Sequence, residues 1–330
     1  MRIARYSDGG PAQIGAVVGG DIYPLEPSAE LVEVLCLPKG RRDQMEEEAI
    51  SRGGRPLNEV TLLAPYHPGA MRDFVVFEEH VVGVSKSVAG AGGVAQAWYE
   101  APAFLFMNPH SLTGPNDDIP MPPLTKALDF ELEVAAIIGE RVRDVSPEDA
   151  ASKIVGYAVF NDWSARDIQK REMQVSLGPS KGKDFANTLG PWITTPDELE
   201  SYRSGDRLNL TMTVSVNGNL VGQDNLANMA WTFEELLVHA SRDAWVGAGD
   251  VLATGTCSGG ALAEFWGRRG VQDPPPLAVG DVVSMTVEGL GTIKNRISGQ
   301  RSPGHRVPAA RRNGSTNQPN EHHLCEDATP

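Results

Sequence analysis

Cysteine is scarce: the 330 residues contain only Cys36, Cys257 and Cys325, too few and too scattered for a disulfide framework. Basic charge is short as well. Lysine and arginine total 29 against 43 aspartates and glutamates, a net charge of −14, with a pI near 5.0. A general nucleic-acid binder needs a basic face to neutralise phosphate, and this composition barely supplies one. No stretch approaches the ~18 to 20 consecutive apolar residues of a membrane span. The N-terminal "MRIARYSDGG" has no apolar run behind its basic residues, so no secretory signal is read there. These absences leave a reduced, cytoplasmic protein whose partners are small molecules or other proteins, with no nucleic acid and no membrane.

Glycine (35) and proline (24) are plentiful, which suits many short strands joined by tight turns. The length exceeds one typical domain. Residues 1–65 read as a small N-terminal domain: the β-type "IGAVVGGDIYPL", the polar helical "RRDQMEEEAISRG" and the apolar "EVTLLAPY". "HPGAMRD" reads as the connector to a catalytic domain over 66–300, since proline and glycine together break either periodic pattern. Residues 301–330 are nearly free of large apolar side chains and read as a disordered tail. In that setting His322, His323 and Cys325 are a weak compositional hint of metal binding.

Within the second region, Ser146-Pro-Glu-Asp149 has the form of a capping box and predicts a helix from Pro147. It gives way near Lys153 to a strand, "IVGYAVFND", followed by an amphipathic helix, "SARDIQKREM". Asn217-Gly218 between alternating arms predicts a type I′ hairpin. "TFEELLVHASR" reads as a helix, and the closing stretches are Gly-Asp turns opening onto strands. The class this predicts is β-rich α+β.

The segment "LDFELEVAAIIG" carries two acids, Glu131 and Glu133, into an apolar strand. Strand side chains alternate, so these two share a side. A half-exposed strand would be polar on that side throughout, yet the parity continues as Ala135 and Ile137 while the other reads Leu132, Val134 and Ala136. Both faces are apolar, so the acids sit where a buried strand emerges. Asp162 ends another apolar strand, and bare carboxylates converging there would repel strongly. A divalent cation removes that cost. An all-carboxylate set favours Mg²⁺, with Mn²⁺ or Ca²⁺ as substitutes, over Zn²⁺.

"DFELEVAAIIG", followed by "FNDWSARDIQKREMQVSLGPSKGKDFANTLGPW", resembles the fumarylacetoacetate hydrolase family over roughly Asp73 to Ile297. The resemblance implies metal ligation by Glu131, Glu133 and Asp162, joined by Asp73 of "DFVVFEEH". It also implies that His80 of the same segment is the catalytic histidine and that Glu264 of "GTCSGGALAEFW" holds it. Without that resemblance, His80 in a polar helix reads as solvent-facing. Arg166, Gln169 and Lys183 match the family's substrate-contacting residues, and Gly255 and Thr256 its substrate-contacting turn. The family's fumarylacetoacetate enzymes carry tyrosines where this sequence has Val75 and Leu105, so an alkyl, aryl or polyketide-like substrate arm is expected in place of fumarylacetoacetate.

The fold so implied is a mixed β-sandwich roll behind a small N-terminal β domain, in a homodimer. The activity implied is metal-dependent hydrolysis of a carbon–carbon bond in acylpyruvates or 1,3-diketones, with an enolate leaving group and water activated by His80 and Glu264. Two alternatives stand beside it: a 2-oxoacid decarboxylase, hydratase or isomerase using the same enolate, and a ligand-binding protein that has lost turnover.

Overall fold

The seven residues "LEVAAII" are apolar on both faces because both faces are covered. Leu132, Val134, Ala136 and Ile138 enter one core cluster, while Ala135 and Ile137 enter another. A sheet packed on both sides is the arrangement that makes alternation disappear from a strand. The structure, a computed structural model, describes residues 1–26, 30–88, 93–300, 302, 304 and 307–311. His322, His323 and Cys325 lie outside the described residues.

Along the chain, β1 (Arg2–Ser7), β2 (Gln13–Val18) and β3 (Asp21–Pro24) precede α1 (Lys39–Arg52). Next come β4 (Met71–Phe74), α2 (Glu78–Val88) and β5 (Phe104–Met107). The centre of the chain holds β6 (Leu128–Asp129), β7 (Leu132–Ile138), α3 (Pro147–Lys153), β8 (Ile154–Asp162), α4 (Arg166–Met173) and β9 (Asn187–Thr194). The last third holds β10 (Thr211–Val216), β11 (Asn219–Asn225), α5 (Phe233–Ser241), β12 (Val251–Ala253), α6 (Leu262–Arg269), β13 (Val282–Val287) and β14 (Gly291–Ser298).

Most of these strands form one mixed sheet with the central order β3-β2-β1-β9-β8-β7-β12-β4-β5. Because β1 pairs with β9, residues 1–65 share a hydrogen-bonded sheet with the residues that follow them. A second sheet, built around β11-β10-β13-β14, packs on one face through Met212, Val214, Val283 and Met285. The other face is covered by Leu31, Val34 and Leu35. Caps behave as their residue types dictate. Ser146 accepts the Asp149 amide at the start of α3, and Thr232 with Glu235 completes a capping box on α5. Asn217 and Gly218 take positive φ at the β10–β11 turn, which the type I′ geometry requires.

Strand direction then makes a rim. β7 begins beside the end of its antiparallel partner β8, with Leu132 opposite Asn161. On its other side β7 pairs antiparallel with β12, Ala135 opposite Ala253. β12 in turn runs parallel to β4, with Ala253 beside Asp73. One strand starts and three end at the same edge of the sheet, and β4, β7 and β8 each deliver an acid there. Among the described residues, no helix is long and apolar enough to cross a membrane.

Candidate metal centre

Asp73, Glu131, Glu133 and Asp162 meet at that rim. One carboxylate oxygen from each lies within 4.8 Å of the others, and all four side chains are buried. Glu131 stands just before β7 rather than inside it, its amide donating to Asn161 Oδ1 at 2.9 Å. Glu131 and Glu133 nonetheless converge with Asp162, and Asp73, implied by the resemblance, joins them.

Positive charge nearby comes from Lys183, whose ammonium donates to Glu131 and Asp162. It is not enough. Asp73 Oδ1, Glu133 Oε1 and Asp162 Oδ1 are buried without a hydrogen-bond partner among the described residues, a costly state for a carboxylate. Burial pushes Asp73 up to about 7, with the Glu131 charge adding to it and Lys183 opposing. Burial likewise raises Glu133 well above the usual carboxylate range, reinforced by Asp73 and Glu131. Asp162 is also raised well above that range by burial, which outweighs Lys183. Burial raises Glu131 too, yet Arg166, Lys183 and His80 overcome it and hold that carboxyl well below. Four hard oxygen donors, three of them orphaned, fit a dication of the Mg²⁺ class.

A pH dependence follows with a definite sign. An unfolded aspartate titrates at about 3.9, so between there and about 7 the metal-free fold holds a proton on Asp73 that the unfolded chain releases. Stability from this group is therefore lost as pH rises through that window. In EDTA, the Tm advantage of Asp73→Asn over the native chain should grow from pH 4.5 to 7.5, read by calorimetry. A gap that narrows with pH contradicts the assignment.

The second constellation is a histidine and a glutamate 184 positions apart. His80 Nδ1 lies 3.2 Å from Glu264 Oε2, with both side chains buried at 5% and 2% exposure. The expectation of a solvent-facing His80, drawn from its polar helix alone, is overturned because α2 packs its His80 side on α6. Glu264 is fixed from several directions. Gly259 N–H donates to it at 2.7 Å, Ser258 Oγ at 3.3 Å and Arg268 at 2.8 Å. A carboxylate only accepts, so Nδ1 carries the proton and Nε2 is left as a base.

Arg166, Gln169, Lys183, Gly255 and Thr256 line the same cavity of about 300 Å³ as Asp73, Glu131 and His80. Arg166 is already occupied: Nε meets Asp129 at 2.8 Å, Nη2 meets Glu131 at 2.8 Å and Nη1 meets Gln169 Oε1 at 3.1 Å. Gly255 donates its amide to Glu133 at 3.2 Å. It must be glycine, as φ is +78° and a Cβ would lie 2.2 Å from the Phe74 carbonyl oxygen. Val75, Val84, Ala103, Phe104 and Leu105 form the apolar wall.

Asp129 stands in the same "LDFELE" segment but carries no local signal of its role, since nothing near it in sequence separates a structural acid from a ligand. Gly83 gave no signal at all. Its importance arises from a contact with Glu264, far away in sequence.

Residues 70–298 match the family model described as fumarylacetoacetate (FAA) hydrolase C-terminal. The chain is 36% identical over 198 residues to a 2,4-didehydro-3-deoxy-L-rhamnonate hydrolase of Sphingomonas sp. (strain SKA58), covering 60% of this chain and 65% of that protein. It is 35% identical over 189 residues to the mitochondrial oxaloacetate tautomerase fahd2 of Xenopus laevis, covering 57% of this chain and 55% of that one. The match thus spans about three fifths of the length of these curated relatives. Among solved structures, the fumarylacetoacetate hydrolase of psychrophilic Exiguobacterium antarcticum aligns with a TM-score of 0.69 at 28% identity, covering 91% of this chain and 100% of that chain. The matched region takes in the acidic rim, the His80–Glu264 pair and the second sheet, and so the chain belongs to the fumarylacetoacetate hydrolase family.

Proposed function

We propose that this chain is a metal-dependent hydrolase that cleaves the carbon–carbon bond between two carbonyls of an acylpyruvate or related 1,3-dioxo acid. One observation carries the reading: a histidine base held by a glutamate opens on the same cavity as Asp73 and Glu131, two of four convergent carboxylates. Asp73, Glu131, Glu133 and Asp162 would hold Mg²⁺, or Mn²⁺ or Ca²⁺ in its place. When bound, that ion supplies Lewis-acid stabilisation of the enolate that leaves.

The rest is done by the chain. His80 Nε2 takes a proton from water, and the resulting hydroxide adds to the carbonyl of the substrate's distal arm. That proton transfer is worth typically about 10²- to 10⁴-fold, and Glu264 stabilises the imidazolium and keeps the ring oriented. Lys183 and the amide nitrogen of Gln169 are the donors available to the oxyanion or the substrate carboxylate. The carbon–carbon bond then breaks, leaving a carboxylic acid and an enolate that takes the proton back from His80. Val75, Ala103, Phe104 and Leu105 suit an alkyl or aryl arm, since neither family tyrosine hydroxyl is present.

A second reading, tautomerisation or decarboxylation through the same enolate, is favoured by one relative's name as an oxaloacetate tautomerase. The two separate on His80. Acylpyruvates and 2-oxo acids incubated with Mg²⁺, Mn²⁺ or EDTA, with products identified by mass spectrometry, should show metal-dependent hydrolysis. His80→Ala should slow it at least about 10²-fold. Turnover retained within a few fold would move tautomerisation or decarboxylation ahead, and metal-dependent binding without any product would indicate a binding protein.

A further inference from the structure

Asp129 is fully buried at 0% exposure, and the proposed reaction makes no use of it. Its two oxygens nevertheless accept four hydrogen bonds. Oδ1 receives the amides of Phe130 and Leu262, each at 2.8 Å. Oδ2 receives the amide of Ala263 at 2.9 Å and Arg166 Nε at 2.8 Å. Leu262 and Ala263 open α6, whose own N-cap, Ala261, offers no side-chain acceptor. Helix N-termini leave such amides orphaned, and a carboxylate on them also complements the dipole. Asp129 supplies that cap from a strand 133 positions upstream.

The same helix carries Glu264, one position after the second of these amides. The other arm of the linkage is Arg166, which donates through Nη2 to Glu131 and through Nη1 to Gln169. One buried carboxylate thus joins the element that holds His80 to the arginine that holds a metal-centre acid.

We infer that Asp129 is a positioning residue that couples the His80–Glu264 pair to the metal centre through the first turn of α6 and Arg166. It rests on the proposed reading of the site. Physically, Asp129 shares the charge of Arg166. With Asp129 neutral, the guanidinium acts undivided on Glu131 and competes with a dication for that carboxylate, while a negative charge is also lost from its surroundings. Both effects weaken cation binding. At α6, an asparagine would turn a donor toward an amide or toward Arg166, loosening the turn that presents Glu264.

The test uses Mn²⁺ as the probe. In Asp129→Asn the Kd for Mn²⁺, by calorimetry on the metal-stripped full chain, should rise at least about tenfold. Thr232→Ala is the control for plain destabilisation: it removes the α5 capping box, lowers Tm, and should leave Kd unchanged. On the native protein, which needs no variant to fold, Mn²⁺ should slow amide hydrogen exchange in the peptide covering 262–264 by several fold. A native chain that binds Mn²⁺ while Asp129→Asn binds it equally well, or while exchange at 262–264 is unaltered, overturns the coupling alone. A native chain that binds no Mn²⁺ overturns the metal centre and the coupling with it.

Discussion

Gly83→Ala should reduce turnover in the proposed acylpyruvate hydrolysis by about 10²-fold or more, although Gly83 offers no side chain to the chemistry. A Cβ built on Gly83 would lie 2.2 Å from Glu264 Cγ and 3.1 Å from both Glu264 Cδ and Arg268 Nε. Cγ is the middle of a buried side chain held by Gly259, Ser258 and Arg268, so it cannot yield by a simple swing of its tip. Glu264 must leave its place, and the 3.2 Å contact to His80 Nδ1 goes with it. Local propensity pushes the other way, because alanine in mid-helix is favoured over glycine by about 1 kcal/mol. The outcome is therefore a test of tertiary crowding against helix preference. Steady-state kinetics should show the loss mainly in kcat, and adding Gly83→Ala to a Glu264→Ala background should cost almost nothing more, as expected of residues acting as a unit. Full turnover in Gly83→Ala would mean that the glutamate does not orient the base.

Lys183→Met should make the fold depend on metal. In the native chain the Lys183 ammonium donates to both Glu131 and Asp162, and burial leaves it 5% exposed. Among the described residues no other cation is bonded to Asp162, whereas Glu131 keeps Arg166. Removing one partner of a buried ion pair typically costs about 3–5 kcal/mol, because the other charge stays behind. In EDTA that corresponds to a drop in Tm of roughly 5–10 °C for a chain of this size. Excess Mg²⁺ or Mn²⁺ should close most of the gap, since a dication satisfies the same oxygens. Activity should stay low even then, as losing a donor to the developing oxyanion costs about 10²- to 10³-fold. Equal Tm values for Lys183→Met and the native chain in EDTA would show that the ammonium does not balance the cluster.

The residues that were legible before any coordinates share a feature: their signal lies within a few positions. Ser146 and Pro147 announce α3, and the helix runs over Pro147–Lys153. The apolar run ending at Asn161-Asp162 is β8. Glu131 and Glu133 betray themselves by standing two apart at the mouth of a strand without a polar face. His80 is the opposite case. Its polar neighbours suggest a surface, and only the approach of α6 buries it. Arg166 and Gln169, three apart on α4, look like an outward helix face, yet both are buried, with the arginine turned toward Asp129 and Glu131. Gly255, which the resemblance implies as part of a substrate-contacting turn, lines the cavity and donates its amide to Glu133.

By itself, then, the sequence determined the strands and helices, the acids gathered at strand ends, and the shortage of cations that a dication would relieve. Short-range sterics, capping and alternation govern those features, and they act between near neighbours in the chain. Tertiary packing alone brings the acids of β4, β7 and β8 to one rim, sets Glu264 against His80 and lets Asp129 reach α6. Those contacts depend on strand register, which is set by burying both faces of the central sheet at once, and no local stretch of residues contains that information.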